Sequence, residues 1–168
     1  NGIEFNLRNG NLDNACEICE KLESCGELYP KSEMLSLRCE ITKALKEDVD
    51  SFILVKDTAS LLDAAVEFMK DTSFFHDYSI CILNTIDNEF PNVAIKILKS
   101  FYYKINNDSL KVIQNLTEAY RLDSEEMYVI KLLADWYYEF GFEQDAIYYR
   151  YKAARLGDEN YKEYMKGR

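Results

Sequence analysis

The sequence has few residues that interrupt regular structure. Its 168 residues include two prolines and six glycines, too few for the many turns of an all-β fold. No apolar run approaches the roughly 20 residues of a membrane-spanning helix. The first residues also show no basic segment followed by an apolar one, as a signal peptide would. These absences favour an all-α protein, and because 48% of the residues are apolar, one with a substantial core.

Residues that commonly carry chemistry are also scarce. His76 is the one histidine, which excludes a histidine-rich metal site, and the phosphate-loop, Gly-x-Ser-x-Gly and His-Glu-x-x-His motifs are missing. Cys16 and Cys19, with Cys25 and Cys39, offer thiolates that zinc would accept. Helical spacing, however, places Cys16 and Cys19 on an apolar face, where free cysteine packs as a small apolar residue. We therefore expect no enzyme, no metal site and no cofactor.

Cysteine usage indicates a reducing compartment. The five cysteines are odd in number and fall mostly at helical positions, which suits free thiols better than a disulfide framework. We therefore expect a cytoplasmic protein.

The charge is strongly acidic and unevenly spread. The formal net charge is −10, and residues 1–50 hold 6 basic and 11 acidic groups against 10 and 12 in residues 101–168. Such a field repels phosphate backbones, so we expect no nucleic-acid binding by this chain. It would favour a basic protein partner, although acidity also serves simply to keep a protein dissolved.

The last third of the chain carries a repeated pattern. Segments 93–126 and 127–160 match at a spacing of 34 residues. The matching pairs are Leu98/Leu132, Tyr103/Tyr137, Ile113/Ile147, Ala119/Ala153, Arg121/Arg155, Leu122/Leu156 and Glu125/Glu159. A fixed period of this length indicates helix–turn–helix units that bury their apolar faces by stacking. We expect helices at about 92–104, 108–121, 125–140, 143–156 and 159–166, with Pro91 in the first turn of the first of them.

The later copy resembles the tetratricopeptide repeat. It places small, aromatic and turn-forming residues at the spacings of that consensus, namely Leu133, Ala134, Tyr137, Gly141, Ala146 and Ala153. The earlier copy has Asn107 where the later has Gly141, and Asn tolerates a left-handed backbone better than most residues. The resemblance implies an all-α fold of antiparallel helix pairs stacked as a short α-solenoid. It covers about two fifths of the chain, and Asp108, Ser124 and Gly157 are predicted to start or end its helices.

The rest of the chain matches the repeat only loosely. Gly10 and Ala15 stand in the same relation as Gly141 and Ala146, so we interpret residues 1–90 as degenerate helix pairs within a single domain, 1–168. The apolar stretch 52–55 is assigned to a short helix of its own. Because the sequence begins with Asn rather than Met, we also consider that it is a piece of a longer protein.

The resemblance also implies where a partner would bind. In tetratricopeptide proteins the first helix of each pair lines a concave groove. The groove positions here would be Ala94, Ile97, Phe101 and Lys104 in one unit and Tyr128, Lys131, Asp135 and Tyr138 in the next. Such a mixed aromatic and charged surface suits recognition of a peptide or helix, although Phe101 and Tyr128 would equally serve to pack adjoining repeats. The chaperone-binding subtype is disfavoured, since Asp135 stands where its carboxylate clamp has Asn.

Two functions follow from this interpretation. The first is a non-catalytic scaffold or adaptor that presents the groove to a protein or peptide, with a basic partner favoured by the charge. The alternative is a regulatory or accessory domain of a larger transcription regulator or of a bacterial enzyme such as a glycosyltransferase.

Overall fold

The protein is all-helical in the residues that the structure describes. A computed structural model describes residues 2–25, 33–71 and 76–166, with side chains as far as Glu163, and all regular structure in these ranges is α-helix. The helices are α1 (Gly2–Arg8), α2 (Leu12–Ser24), α3 (Glu33–Leu54), α4 (Thr58–Lys70), α5 (His76–Glu89), α6 (Val93–Ile105), α7 (Ser109–Leu122), α8 (Met127–Glu139), α9 (Glu143–Leu156) and α10 (Glu159–Lys166). Within those ranges, none of them combines the length and hydropathy that a bilayer crossing requires.

The chain divides into two compact units, Asn1–Phe90 and Pro91–Arg168. The boundary falls directly before α6, the helix that opens the first of the two well-matched repeats.

One kind of turn ends five of the described helices. A residue with positive φ follows each of these helices, namely Gly10, Lys56, Asn107, Gly141 and Gly157. Its N–H donates to the carbonyl three residues back, and the next N–H donates to the carbonyl five residues back. This Schellman arrangement satisfies carbonyls at the helix end that have no partner within the helix. The left-handed conformation predicted for Asn107 is confirmed.

The residue after the turn often caps the following helix. Asn11, Asp57 and Asp108 each accept a hydrogen bond through the side chain from the backbone N–H three residues later, and Asp158 does the same for Tyr161. Because one residue ends a helix and the next begins another, the connections are very short. The predicted caps at Asp108 and Gly157 are confirmed.

Two predicted helix starts are wrong. Ser124 does not cap α8, because Glu126 stands at that position and accepts from the Tyr128 N–H at 3.1 Å. Pro91 lies outside α6 rather than in its first turn, because Asn92 is the N-cap and accepts from the Ile95 N–H at 3.0 Å. A side chain that accepts a hydrogen bond outweighed the preference of Pro for the first helical position.

In the unit Pro91–Arg168, helices adjacent in sequence pack against each other. Contacts join α6 to α7, α7 to α8, α8 to α9 and α9 to α10. The small residues of the repeat lie where predicted, since Ala134, Ala146 and Ala153 have no exposed surface. A small side chain lets two helix backbones approach closely, and that approach is what the repeat pattern requires.

The unit Asn1–Phe90 is built around α5. This helix packs against α1, α2, α3 and α4, and nine of its residues are buried. The link to α1 includes the Cys81 thiol, which donates to the Leu7 carbonyl at 3.4 Å. Contact between the first and fifth helices spans a longer stretch of sequence than the main contacts of the other unit, which join adjacent helices. The 34-residue pattern does not predict it.

The assignment of residues 52–55 to a separate short helix is wrong. Helix α3 runs without a break to Leu54 and ends at the turn in which Lys56 has φ 59°. Lys has no intrinsic preference for positive φ. The residue type at this turn therefore gives no indication in the sequence that the helix ends here.

Candidate functional site

The first helices of successive pairs, α6 and α8, are joined side chain to side chain. The Phe101 ring on α6 meets the edge of the Trp136 ring on α8 at a centroid separation of 5.4 Å and an angle of 83°. Aromatic rings prefer this edge-to-face geometry because the positive rim of one faces the negative face of the other. Trp136 is only 8% exposed, so this contact is part of the core between the two helices.

Lys104 extends the same junction one turn further along α6. Its ammonium forms an ion pair with Glu139 of α8 and lies 4.8 Å from the ring centroid of Phe140 and 5.9 Å from that of Trp136. A cation placed against aromatic faces and a carboxylate loses its freedom to recruit an external anion. Lys104 therefore serves mainly to join α6 and α8.

Helix α8 is joined to α10 in a comparable way. Lys131 pairs with Asp158 at 2.8 Å, and the Tyr161 hydroxyl donates to Asp135 at 3.0 Å. The Lys131 ammonium holds the pKa of the Asp158 carboxyl below its usual range. Burial, followed by the Asp135 carboxylate, raises the pKa of Tyr161 to about 12, so the phenol stays protonated and keeps donating at neutral pH.

The eight predicted groove residues thus fall into two sets. Five have contacts within the unit: Phe101, Lys104, Lys131 and Asp135 as above, and Tyr138, whose ring lies 4.6 Å from the Arg150 guanidinium although 57% of the residue is exposed. The other three are apolar or aromatic side chains, of which Ala94 and Tyr128 are exposed and Ile97 is partly exposed. Tyr128 is 51% exposed. Of the two aromatics weighed as packing residues, Phe101 packs against the next repeat, and Tyr128 stays open.

Sequence reasoning missed the partners of these residues. Trp136, Glu139, Arg150, Asp158 and Tyr161 each contact a predicted groove residue. The sequence did contain one indication that Trp136 is a core residue. It is the single tryptophan of the chain, and it lies 34 positions after Tyr102, which is also buried. The others depend on how one helix is shifted along the next, which the pattern within a helix does not encode.

The five cysteines differ in how far they are buried. Cys19, Cys39 and Cys81 are buried, Cys16 is partly so, and Cys25 is exposed. Burial raises the pKa of the Cys19 thiol, so the thiol stays protonated at neutral pH. Across the part of the chain that the structure describes, no three His, Cys, Asp or Glu side chains are grouped closely enough to hold a metal ion.

The chain was compared with protein-family models, curated proteins and solved structures. No protein-family model, no curated protein and no solved structure matches the chain significantly.

Proposed function

We propose that the unit Pro91–Arg168 is a short, tetratricopeptide-like stack of helix pairs that binds a peptide or helix of a partner protein, without catalysis. The binding face, here called the groove face, is formed by α6, α8 and α10. The carrying observation is that side chains link α6 to α8 and α8 to α10, while Ala94 and Tyr128 are exposed and Ile97 is partly exposed on the first two helices.

The register of the links supports a common face. Phe101 meets Trp136 and Lys104 meets Glu139, so both links join residues 35 positions apart (136 − 101 = 139 − 104 = 35). A constant offset means that α6 and α8 run in the same direction. The same register brings Ala94 and Tyr128 to nearly the same level of the two helices, and the accessible residues therefore form one patch.

The chemistry of the groove face favours apolar anchors. Its lysines and aspartate already have partners of opposite charge or hydrogen-bonding partners within the unit. A ligand that recruited them would first have to break those contacts, and exposed pairs return little energy. Ile97 and Tyr128 instead offer apolar area whose burial is favourable at about 25 cal/mol per Å². An amphipathic helix with apolar side chains at i, i+3 and i+4 matches such a surface.

Charge acts at longer range. The net charge of −10 would speed the approach of a partner with a basic surface, an effect that weakens as salt rises. The acidic excess lies in residues 1–90, which hold 8 basic and 18 acidic groups, whereas residues 91–168, which carry the groove face, hold 12 of each. The groove face therefore sets affinity, and the charge of the chain contributes only to the first encounter.

The proposal is tested with peptides selected on the full chain from a displayed library of random 16-residue sequences. We expect Ile97→Glu and Tyr128→Ala each to weaken binding of the selected apolar peptides by about tenfold or more, equivalent to about 1.4 kcal/mol. Affinity is measured by fluorescence anisotropy with labelled peptides.

The matched control is Leu110→Glu, which places a charge at a 77% exposed residue of α7 and should leave affinity unchanged. Equal affinity of the wild type and both groove-face variants, with helical content retained by circular dichroism, would contradict the proposal.

A further inference from the structure

A second accessible surface runs along α9, and the packing of the repeat does not explain it. Tyr148, Tyr151, Lys152, Arg155 and Leu156 surround a depression of about 370 Å³. Their positions are spaced as i, i+3, i+4, i+7 and i+8, which places them on one side of the helix. These five residues are here called the α9 stripe. Tyr148 is 57% exposed and Tyr151 is 49% exposed.

The α9 stripe is separate from the side of α9 that packs against the rest of the unit. Ala146, Ala153 and Ala154 are buried, and the Tyr149 ring stacks on Tyr137 of α8 at 5.6 Å. The helix therefore reaches α8 through its small residues and Tyr149, while the two neighbouring tyrosines of the stripe remain open. Large exposed aromatics beside an already satisfied packing face are typical of interaction surfaces.

Comparison with the preceding repeat shows that the stripe is particular to α9. The positions 34 residues earlier on α7 are Gln114, Thr117, Glu118, Arg121 and Leu122. The last two agree with Arg155 and Leu156, and both repeats thus end their second helix in the same way. Where α9 has two tyrosines and a lysine, however, α7 has two polar residues and a glutamate. A requirement of the fold would appear in both copies.

The charge of the stripe is opposite to that of the chain. Its two ionised side chains, Lys152 and Arg155, are cations. The net charge of −10 comes from residues 1–90, whereas residues 91–168 hold 12 basic and 12 acidic groups. The Lys152 ammonium lies 4.2 Å from the ring centroid of Tyr120 and hydrogen-bonds its hydroxyl, an uncharged partner. Among the residues that the structure describes, neither cation has a carboxylate within ion-pair distance. The carboxylates nearest in sequence to Arg155 pair elsewhere, since Asp158 pairs with Lys131 and Glu159 with Lys162.

We propose that the α9 stripe is a second docking site, which takes an acidic amphipathic helix from a partner protein. Apolar side chains of that helix pack between Tyr148, Tyr151 and Leu156, and its carboxylates meet Arg155 and Lys152. Charge complementarity selects this occupant: carboxylates supply the neutralising partners that both cations lack, whereas a basic segment would add like charge. This site does not depend on the groove face, and either can fail without the other.

The experiment uses the same library of displayed peptides on the full chain, with selected sequences sorted by net charge. We expect a class of acidic peptides with apolar residues at helical spacing. Arg155→Glu should weaken their binding by tenfold or more, and Tyr151→Ala should weaken it by a comparable factor. Raising sodium chloride from 50 to 300 mM should also weaken it, because salt would screen the two proposed ion pairs at this surface. Lys70→Glu, the same charge change at an exposed lysine of α4, is the matched control and should leave affinity unchanged.

Several results would overturn the inference. One is the absence of acidic sequences among the selected peptides, and another is equal binding of those peptides by the wild type and Arg155→Glu. Stronger binding of the same peptide with lysine in place of each acidic residue, or of a 16-nucleotide single-stranded DNA, would assign the stripe to a different ligand. A dimer of the wild type that Arg155→Glu converts to monomer in light scattering would instead assign the stripe to a second copy of this chain.

Discussion

Replacing Trp136 by Ala should lower the free energy of unfolding of its unit by about 3–5 kcal/mol, the range for large-to-small changes at a buried aromatic. The loss has two sources: the buried area of the ring itself, and the edge contact with Phe101 together with the nearby Lys104 ammonium. The measurement is urea unfolding followed by circular dichroism at 222 nm, since the variant has no tryptophan fluorescence.

Tyr128→Ala is the matched control for this experiment, because it also truncates an aromatic residue of α8 but one that is 51% exposed. It should change the free energy of unfolding by no more than about 0.5 kcal/mol, as surface substitutions usually do. A cost of less than about 1 kcal/mol for Trp136→Ala would show that the ring does not form the core between α6 and α8.

Replacing Tyr78 by Ala should have a comparable effect on the unit Asn1–Phe90, again about 3–5 kcal/mol. Tyr78 lies on α5 and has no exposed surface. Its hydroxyl is 3.0 Å from that of Thr42 on α3, and its ring lies 6.3 Å from that of Phe68 on α4. One side chain thus touches two of the helices that surround α5, and its removal leaves a cavity between them.

Tyr78→Phe separates the ring from the hydroxyl. It should cost only about 1 kcal/mol, the usual net value of one buried hydrogen bond, because the Thr42 hydroxyl keeps its 2.7 Å bond to the Arg38 carbonyl. Both variants are measured by urea unfolding. Equal losses for Phe and Ala would mean that the ring contributes nothing, and α5 would then not organise this unit.

Much of the helical pattern could be predicted because its determinants are local. The bounds predicted for α9 and α10 agree with the structure, and Asp108 and Gly157 stand at the predicted helix ends. A cap or a left-handed turn residue acts within one helical turn of itself, so the residue type carries the information. Where the decisive residue was ambiguous, as at Lys56, the boundary was wrong.

Packing between helices distant in sequence could not be predicted in the same way. The contact of α1 with α5 joins the first and the last helix of the unit in sequence order. A repeat period does not predict such a pairing. Helical spacing alone places Tyr78, Cys81 and Ile82 on one apolar face of α5. Which helices cover that face depends on the fold as a whole.

The same distinction between local determinants and packing between helices applies to the proposed groove face. The eight residues were assigned to α6 and α8 from the resemblance, and they lie on those helices. The sequence carried no indication that five of them would be engaged within the unit, because the offset of 35 residues between α6 and α8 is a property of packing. Knowing these contacts moves the expected chemistry of recognition from charge towards apolar side chains such as Ile97 and Tyr128.

The most direct test of the account concerns the pairing of α6 with α8, on which the groove face depends. Trp136 is the one tryptophan of the chain, so its indole N–H gives a single signal in the NMR spectrum. We predict cross-peaks in a NOESY experiment on the full chain between this indole and the Phe101 ring, as the 5.4 Å centroid separation requires. Cross-peaks confined to α8 and α9, with none to α6, would contradict the account.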